Sequence, residues 1–175
     1  SYGPIPILAR TVLHLGSGGG HLDYHLKGGY TITGVDPSPA MRALATQLNP
    51  EATYINGDMR SYRSENRYDV VMIADSIGYM LTEADLSAAF ETAYVHLKPG
   101  GVLITYAEET LARFQHGLVR HFHGSTPQAD VTLIENLYDH DVMDTVYEAT
   151  LLFLIRKGAA LETVVDRHTL GLFSL

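Results

Sequence analysis

The chain has 175 residues, 46% of them apolar, a formal net charge of −8 and no cysteine. That length supports a domain with a sizeable core, while the acidity argues against nucleic acid or an anionic membrane surface as the main partner. The missing cysteines exclude a disulfide framework and thiolate chemistry, and the longest apolar run weighed as a span, Leu151 to Ile155, is far too short for a bilayer, so a cytoplasmic protein is expected.

The opening segment SYGPIPILAR leads to an apolar run, Val12 to Leu15, which reads as a strand. It ends in a turn with glycine at 16, 18, 19 and 20, and an apolar-periodic helix follows. A turn nearly free of side chains lets a ligand lie against backbone. A second run, Thr31 to Val35, ends in Asp36, twenty residues after Gly16. A carboxylate at that strand tip can accept from both hydroxyls of a ribose, so the pair predicts an adenosine-containing ligand. Ser38-Pro39 opens a helix whose apolar face is Met41, Leu44, Ala45 and Leu48, and Asn49-Pro50 closes it.

Ala52 to Ile55 is a short strand running into Asn56-Gly57-Asp58-Met59. Tyr68 to Ala74 is continuously apolar, as a strand buried on both faces requires. Asp75–Tyr79 (DSIGY) follows its tip, where α/β enzymes place substrate contacts. Thr82-Glu-Ala-Asp85 resembles a capping box ahead of a helix carrying Leu86, Ala89, Phe90, Ala93 and Leu97. Lys98-Pro99-Gly100-Gly101 stops that helix, and Val102 to Tyr106 is another strand. The alternation predicts an α/β fold with a doubly wound parallel sheet.

After residue 107 the pattern changes. Glu108 to His123 reads as a helix or irregular lid, with His116, His121 and His123 on its surface. From Val131 the period becomes two, which predicts an antiparallel meander of three strands over roughly 131–172. The expected organisation is a nucleotide-binding core with lid segment over 1–126 and a β-meander over 127–175 packed on the same domain.

Taken together, LHLGSGGG, GVDPS, NGDM, YDVVMIAD and LKPGGVLI resemble, in order and spacing, the conserved blocks of class I S-adenosylmethionine-dependent methyltransferases over about residues 11–107. The meander resembles the β-layer of a small-molecule branch that includes amino-sugar N-methyltransferases. The resemblance implies the Rossmann-like fold of that class, truncated at both ends, with the meander inserted after the fifth strand. It implies S-adenosylmethionine as cofactor and a small-molecule methyl acceptor, with neither nucleic acid nor membrane as partner.

Residue by residue, the resemblance places Gly16, Ser17, Gly18 and Gly20 against the methionine part of the cofactor. It places Asp36 on the ribose, Met41 against the adenine, Asp58 on the adenine amino group and Met59 beside it. Ala74 and Asp75 fall where the methyl group meets the acceptor, and Asp75 and Tyr79 are the candidate bases. His14 departs from the family pattern, which has an acidic residue there to hold the ammonium of the cofactor. A cationic His14 would repel that group and a neutral one would accept a single hydrogen bond.

The residues also admit plainer readings. Asp36 and Asp58 are the kind of residue that caps turns, and Tyr79 the kind that packs a helix. His21 and His25 share a helical face at a spacing that can chelate zinc, but Leu22 stands where the metalloprotease pattern needs Glu, so no metal is expected. Position 21 is His where the nicotinamide fingerprint needs Gly, which leaves a nucleotide-dependent oxidoreductase as an alternative. A non-catalytic cofactor-binding domain whose meander is a dimerisation surface is the other alternative. The meander must bury its apolar face against the lid or in a homodimer.

Overall fold

The computed structural model describes residues 9–174; residues 1–8 of the opening segment and Leu175 lie outside the described residues. The chain divides into two units, 1–108 and 109–175. The first contains a five-stranded parallel sheet of order β3-β2-β1-β4-β5, built from β1 (Thr11–Leu15), β2 (Thr31–Asp36), β3 (Thr53–Asn56), β4 (Tyr68–Ile73) and β5 (Leu97–Thr105), with helices α1 (His21–Leu26), α2 (Pro39–Leu48) and α3 (Glu83–Val95). The chain winds outward from β1 to β3 and then returns to the other side of β1. The carboxyl ends of β1 and β4 therefore flank the switch point, where such sheets open a crevice.

Alternation along β1 sorts its side chains. Leu13 and Leu15 join Val35, Val71 and Ile73 in a core closed by Ala89 and Ala93 of α3. Val12 joins Ile32 and Met72 in a smaller cluster against Leu26. His14 shares the parity of Val12 and so turns toward the α1 side of the sheet. Ser38 caps α2 by accepting from the Met41 amide, and Thr82 caps α3 by accepting from the Asp85 amide, as expected. Strand β5 starts earlier than expected. Leu97 already pairs with Tyr68, and the Lys98–Gly101 segment forms an irregularity in which Gly100 takes a φ of 79°.

The second unit begins at Glu109, and it corrects the expected three-stranded meander. Its sheet has four antiparallel strands in sequence order: β6 (Val119–Ser125), β7 (Asp130–Tyr138), β8 (Val146–Lys157) and β9 (Ala160–Gly171). Residues 119–123, expected within a helix or lid, instead belong to β6, which pairs along its whole length with β7. The preceding segment supplies Phe114 and Leu118 to a cluster with Leu137, Tyr147, Ala149 and Leu172. A buried Glu109 accepts from Arg120, which also reaches Glu135 at 3.2 Å. The histidines that masked β6 stand on a strand that is mostly exposed, so hydropathy alone carried no period-two signal there.

Candidate functional site

A cleft of about 640 Å³ opens at the carboxyl edge of the parallel sheet. Of the residues singled out in the sequence, His14, Gly16, Ser17, Gly18, Asp36, Met41, Asp58, Met59, Ala74, Asp75 and Tyr79 all line it. Gly20 does not. It caps α1, and a Cβ there would meet Asn49 Nδ2 at 2.7 Å and the Tyr54 hydroxyl at 2.9 Å. Its role is close packing of α1 against α2 and β3.

The turn after β1 is fastened to β2, for both Gly16 N and Ser17 N donate to Val35 O, at 2.7 and 3.2 Å. Gly16 takes a φ of 70°, and a Cβ there would lie 2.3 Å from Ser76 Oγ, so any side chain would collide with the segment after β4. Gly18 is the opposite case. Its φ is 53° and a Cβ would meet nothing within 4 Å, so that backbone faces open cleft. Asp36 completes the cradle. Its Oδ2 accepts from Gly18 N and its Oδ1 from Ser38 N, both at 2.8 Å. One carboxylate thus ties the glycine turn to the start of α2, and each oxygen keeps a lone pair for another donor.

Asp58 is less free than the sequence suggests. Arg60 donates to its Oδ1 through the backbone amide and Nε, and to its Oδ2 through Nη2 at 2.6 Å. These bonds hold the Asp58 carboxyl below the usual range. The same guanidinium reaches Asp85 at 2.9 Å, so it is committed to two carboxylates.

At the tip of β4, Asp75, Ser76 and Tyr79 belong to a single 3₁₀ turn, Asp75–Tyr79. The Tyr106 hydroxyl donates to Asp75 Oδ1. That bond, with burial second, pushes the phenol up to about 12. Sequence reasoning missed Tyr106, because the contact depends on strand register: Thr105 pairs with Ile73, so the residues just past both strand ends are neighbours.

His14 is the second surprise. It is 3% exposed, and its Nδ1 lies 2.7 Å from Oδ1 of Asp23, which is wholly buried on α1. The acidic partner missing from position 14 is therefore supplied from behind. Tyr54 donates its hydroxyl to Asp23 Oδ2 at 2.8 Å and accepts from Asn49 Nδ2, which also donates to Gly20 O. Two buried polar atoms of residues that line the cleft, His14 Nε2 and Ser17 Oγ, make no hydrogen bond among the described residues. Buried polar groups are ordinarily paired, which sets these two apart.

Fold and cleft together define a nucleotide-type site at the switch point of a doubly wound sheet. Comparison with known proteins narrows that class. The profile of the family described as "Methyltransferase domain" matches residues 12–101, and the chain belongs to that family.

One relative is the dTDP-3-amino-3,4,6-trideoxy-α-D-glucopyranose N,N-dimethyltransferase of Streptomyces venezuelae. It is 35% identical over 98 residues, covering 55% of this chain and 41% of the relative. Another, the trans-aconitate 2-methyltransferase of Klebsiella pneumoniae (strain 342), is 30% identical over 112 residues, covering 62% and 43%. The chain thus spans less than half the length of these curated relatives.

Two solved structures are similar over nearly the whole chain. Streptomyces venezuelae DesVI superposes with a TM-score of 0.87 at 25% identity, over 95% of this chain and 70% of that one. The sugar N-methyltransferase KedS8 from Streptoalloteichus sp. ATCC 53650 gives 0.81 at 25%, over 95% and 67%.

Proposed function

We propose that this chain is the cofactor-binding part of an S-adenosylmethionine-dependent methyltransferase acting on a small molecule. The observation that carries the reading is Asp36, held by two backbone amides beside an open glycine turn with lone pairs left toward the cleft. A ribose presents two adjacent hydroxyls to such a carboxylate. When bound, the cofactor supplies a sulfonium methyl group that an amine, hydroxyl or carboxylate displaces.

Gly16, Ser17, Gly18 and His14 face the amino-acid portion, Met41 and Met59 flank the adenine, and Asp58 accepts from its amino group beside Arg60. Gly20 acts indirectly, by seating α1. Ala74 and Asp75 border the acceptor's approach, and Asp75 or Tyr79 takes its proton where it has one to lose. The remaining contribution of the protein is orientation and exclusion of water. The relatives' action on amino sugars and trans-aconitate supports a small-molecule acceptor.

The reading extends to a cytoplasmic protein without a nucleic-acid partner, and to a homodimer formed through the second sheet. The net charge of −8 supports the absence of a nucleic-acid partner. Exposed Val119, Leu161 and Val165, which share one face of that sheet by its strand registers, support the third. Among the described residues no helix is long and apolar enough to cross a membrane.

Calorimetric titration tests the cleft. Wild type binds S-adenosylhomocysteine and not a nicotinamide dinucleotide, and a folded Gly18→Val protein binds neither, because its side chain enters the space left for the ligand. Unchanged S-adenosylhomocysteine affinity in that variant refutes the placement. Turnover with a panel of amine, hydroxyl and carboxylate acceptors then identifies the reaction.

A further inference from the structure

The buried chain His14–Asp23–Tyr54–Asn49 underlies the cleft without being part of its visible wall, apart from the His14 ring. Its polarity can be read link by link. Asn49 Nδ2 donates to the Tyr54 oxygen, so the Tyr54 proton points to Asp23. Asp23 then accepts on Oδ2, and its Oδ1 faces His14 Nδ1 at 2.7 Å. An ionised Asp23 carries no proton and can only accept, so its Oδ1 needs a donor opposite it. The His14 Nδ1 position therefore carries the proton, and in the neutral ring Nε2 is a bare acceptor. That atom is buried, unpaired among the described residues and set in a residue lining the cleft.

The neighbours of His14 support the same polarity. Its register partners on the flanking strands are Gly34 and Met72, neither of which carries charge. Gly34 is required by the arrangement: a Cβ there would lie 2.5 Å from the Tyr54 ring and 2.8 Å from Ser17 Oγ. The room it leaves is what lets Tyr54 reach Asp23.

We propose that Asp23 is a positioning residue that fixes His14 with its proton on Nδ1, so that Nε2 accepts a hydrogen bond from the cationic amino group of the cofactor's amino-acid portion. This rests on the reading of the cleft as an S-adenosylmethionine site. An acceptor backed by a buried carboxylate suits an ammonium donor. A carboxylate ligand, itself an acceptor only, would find no donor there. Asp23 acts through His14 and touches no ligand. Tyr54 and Asn49 hold the carboxylate in the orientation that makes this work.

Two measurements test it. The first needs no ligand. Long-range proton–nitrogen correlation spectra of ¹⁵N-labelled protein, at about pH 8 and so above the ordinary histidine range, should show the His14 ring in wild type with its proton on Nδ1. A proton on Nε2 overturns the proposal.

The second compares two probes by calorimetry, S-adenosylhomocysteine and 5′-methylthioadenosine, which lacks the amino-acid portion. Asp23→Asn should weaken S-adenosylhomocysteine about tenfold or more and leave 5′-methylthioadenosine unchanged. Tyr54→Phe, which removes a single oxygen, should give the same selective loss at smaller size and serves if Asp23→Asn does not fold. Equal loss for both probes, or loss for neither, overturns the positioning role. If wild type binds neither probe, the reading of the cleft fails instead, and the spectrum still decides how His14 is held.

Discussion

Asp36 joins two jobs, and Asp36→Ala separates them. In the protein alone the carboxylate accepts from Gly18 N and Ser38 N, each at 2.8 Å. A hydrogen bond to a charged group contributes about 1.5–3 kcal/mol. These two border an open cleft, where water can replace the lost acceptor, so about 1 kcal/mol each is the better figure. The variant should therefore lose about 2 kcal/mol of stability, a fall in melting temperature of about 4–8 °C for a chain of this size.

Binding is lost as well. Two ribose hydroxyls lose a charged acceptor, and the glycine turn loses its tether. S-adenosylhomocysteine affinity should fall at least about tenfold, the equivalent of 1.4 kcal/mol. Asp36→Asn is the informative companion. Its amide oxygen can serve one of the two backbone donors, while its NH₂ faces the other, so stability should drop nearly as far as in Asp36→Ala. Calorimetry gives the affinities and thermal unfolding the stabilities. A folded Asp36→Ala protein that keeps its affinity within about threefold refutes the ribose assignment. One that keeps its melting temperature refutes the claim that Asp36 fastens the turn.

Two further expectations concern the scaffold. Asp69 accepts from the Arg10 amide, the Lys98 ammonium, and the Thr11 hydroxyl and amide, which together hold its carboxyl well below the usual range. Because the folded value is depressed, its stabilising contribution is present above the unfolded value near about 4 and is lost as pH falls below it. Asp69→Asn should accordingly flatten the acid limb of the urea-midpoint profile below about pH 4, and an unchanged limb refutes this. His96 is wholly buried, with Nδ1 on Thr92 O at 2.7 Å, Nε2 accepting from Ser64 N at 3.0 Å and Tyr62 stacked on its ring. His96→Phe keeps the stacking but strands both backbone groups, so urea unfolding should show a loss of about 2–4 kcal/mol, and a loss below about 1 kcal/mol refutes the pairing.

Much of the first unit was legible in the order of residues because its signals are local. Continuous apolar runs mark strands covered on both faces, and Ser38-Pro39 and Thr82 mark helix starts through bonds made within a few residues. The glycine turn with Asp36 at the neighbouring strand tip is likewise a short-range pattern, and eleven of the twelve residues it and its companions pointed to line the cleft. Gly20 is the one that does not, because glycine serves close packing as readily as ligand approach, and only the positions of Asn49 and Tyr54 distinguish the two. Residues 119–125 escaped because a mostly exposed strand carries no hydropathy period, and pairing with β7 is what makes it a strand. His14 looked like a lost acid for a similar reason. Its carboxylate comes from Asp23, nine residues on, and is held by Tyr54, thirty-one residues beyond that. A hydrogen bond between a strand, a helix and a second strand leaves no periodic trace in the chain. The order of residues alone specifies the sheet, the turn and the carboxylate at the tip of β2; the charge that stands behind His14, the guanidinium on Asp58 and the phenol on Asp75 were decided by packing, which alone brings those side chains together.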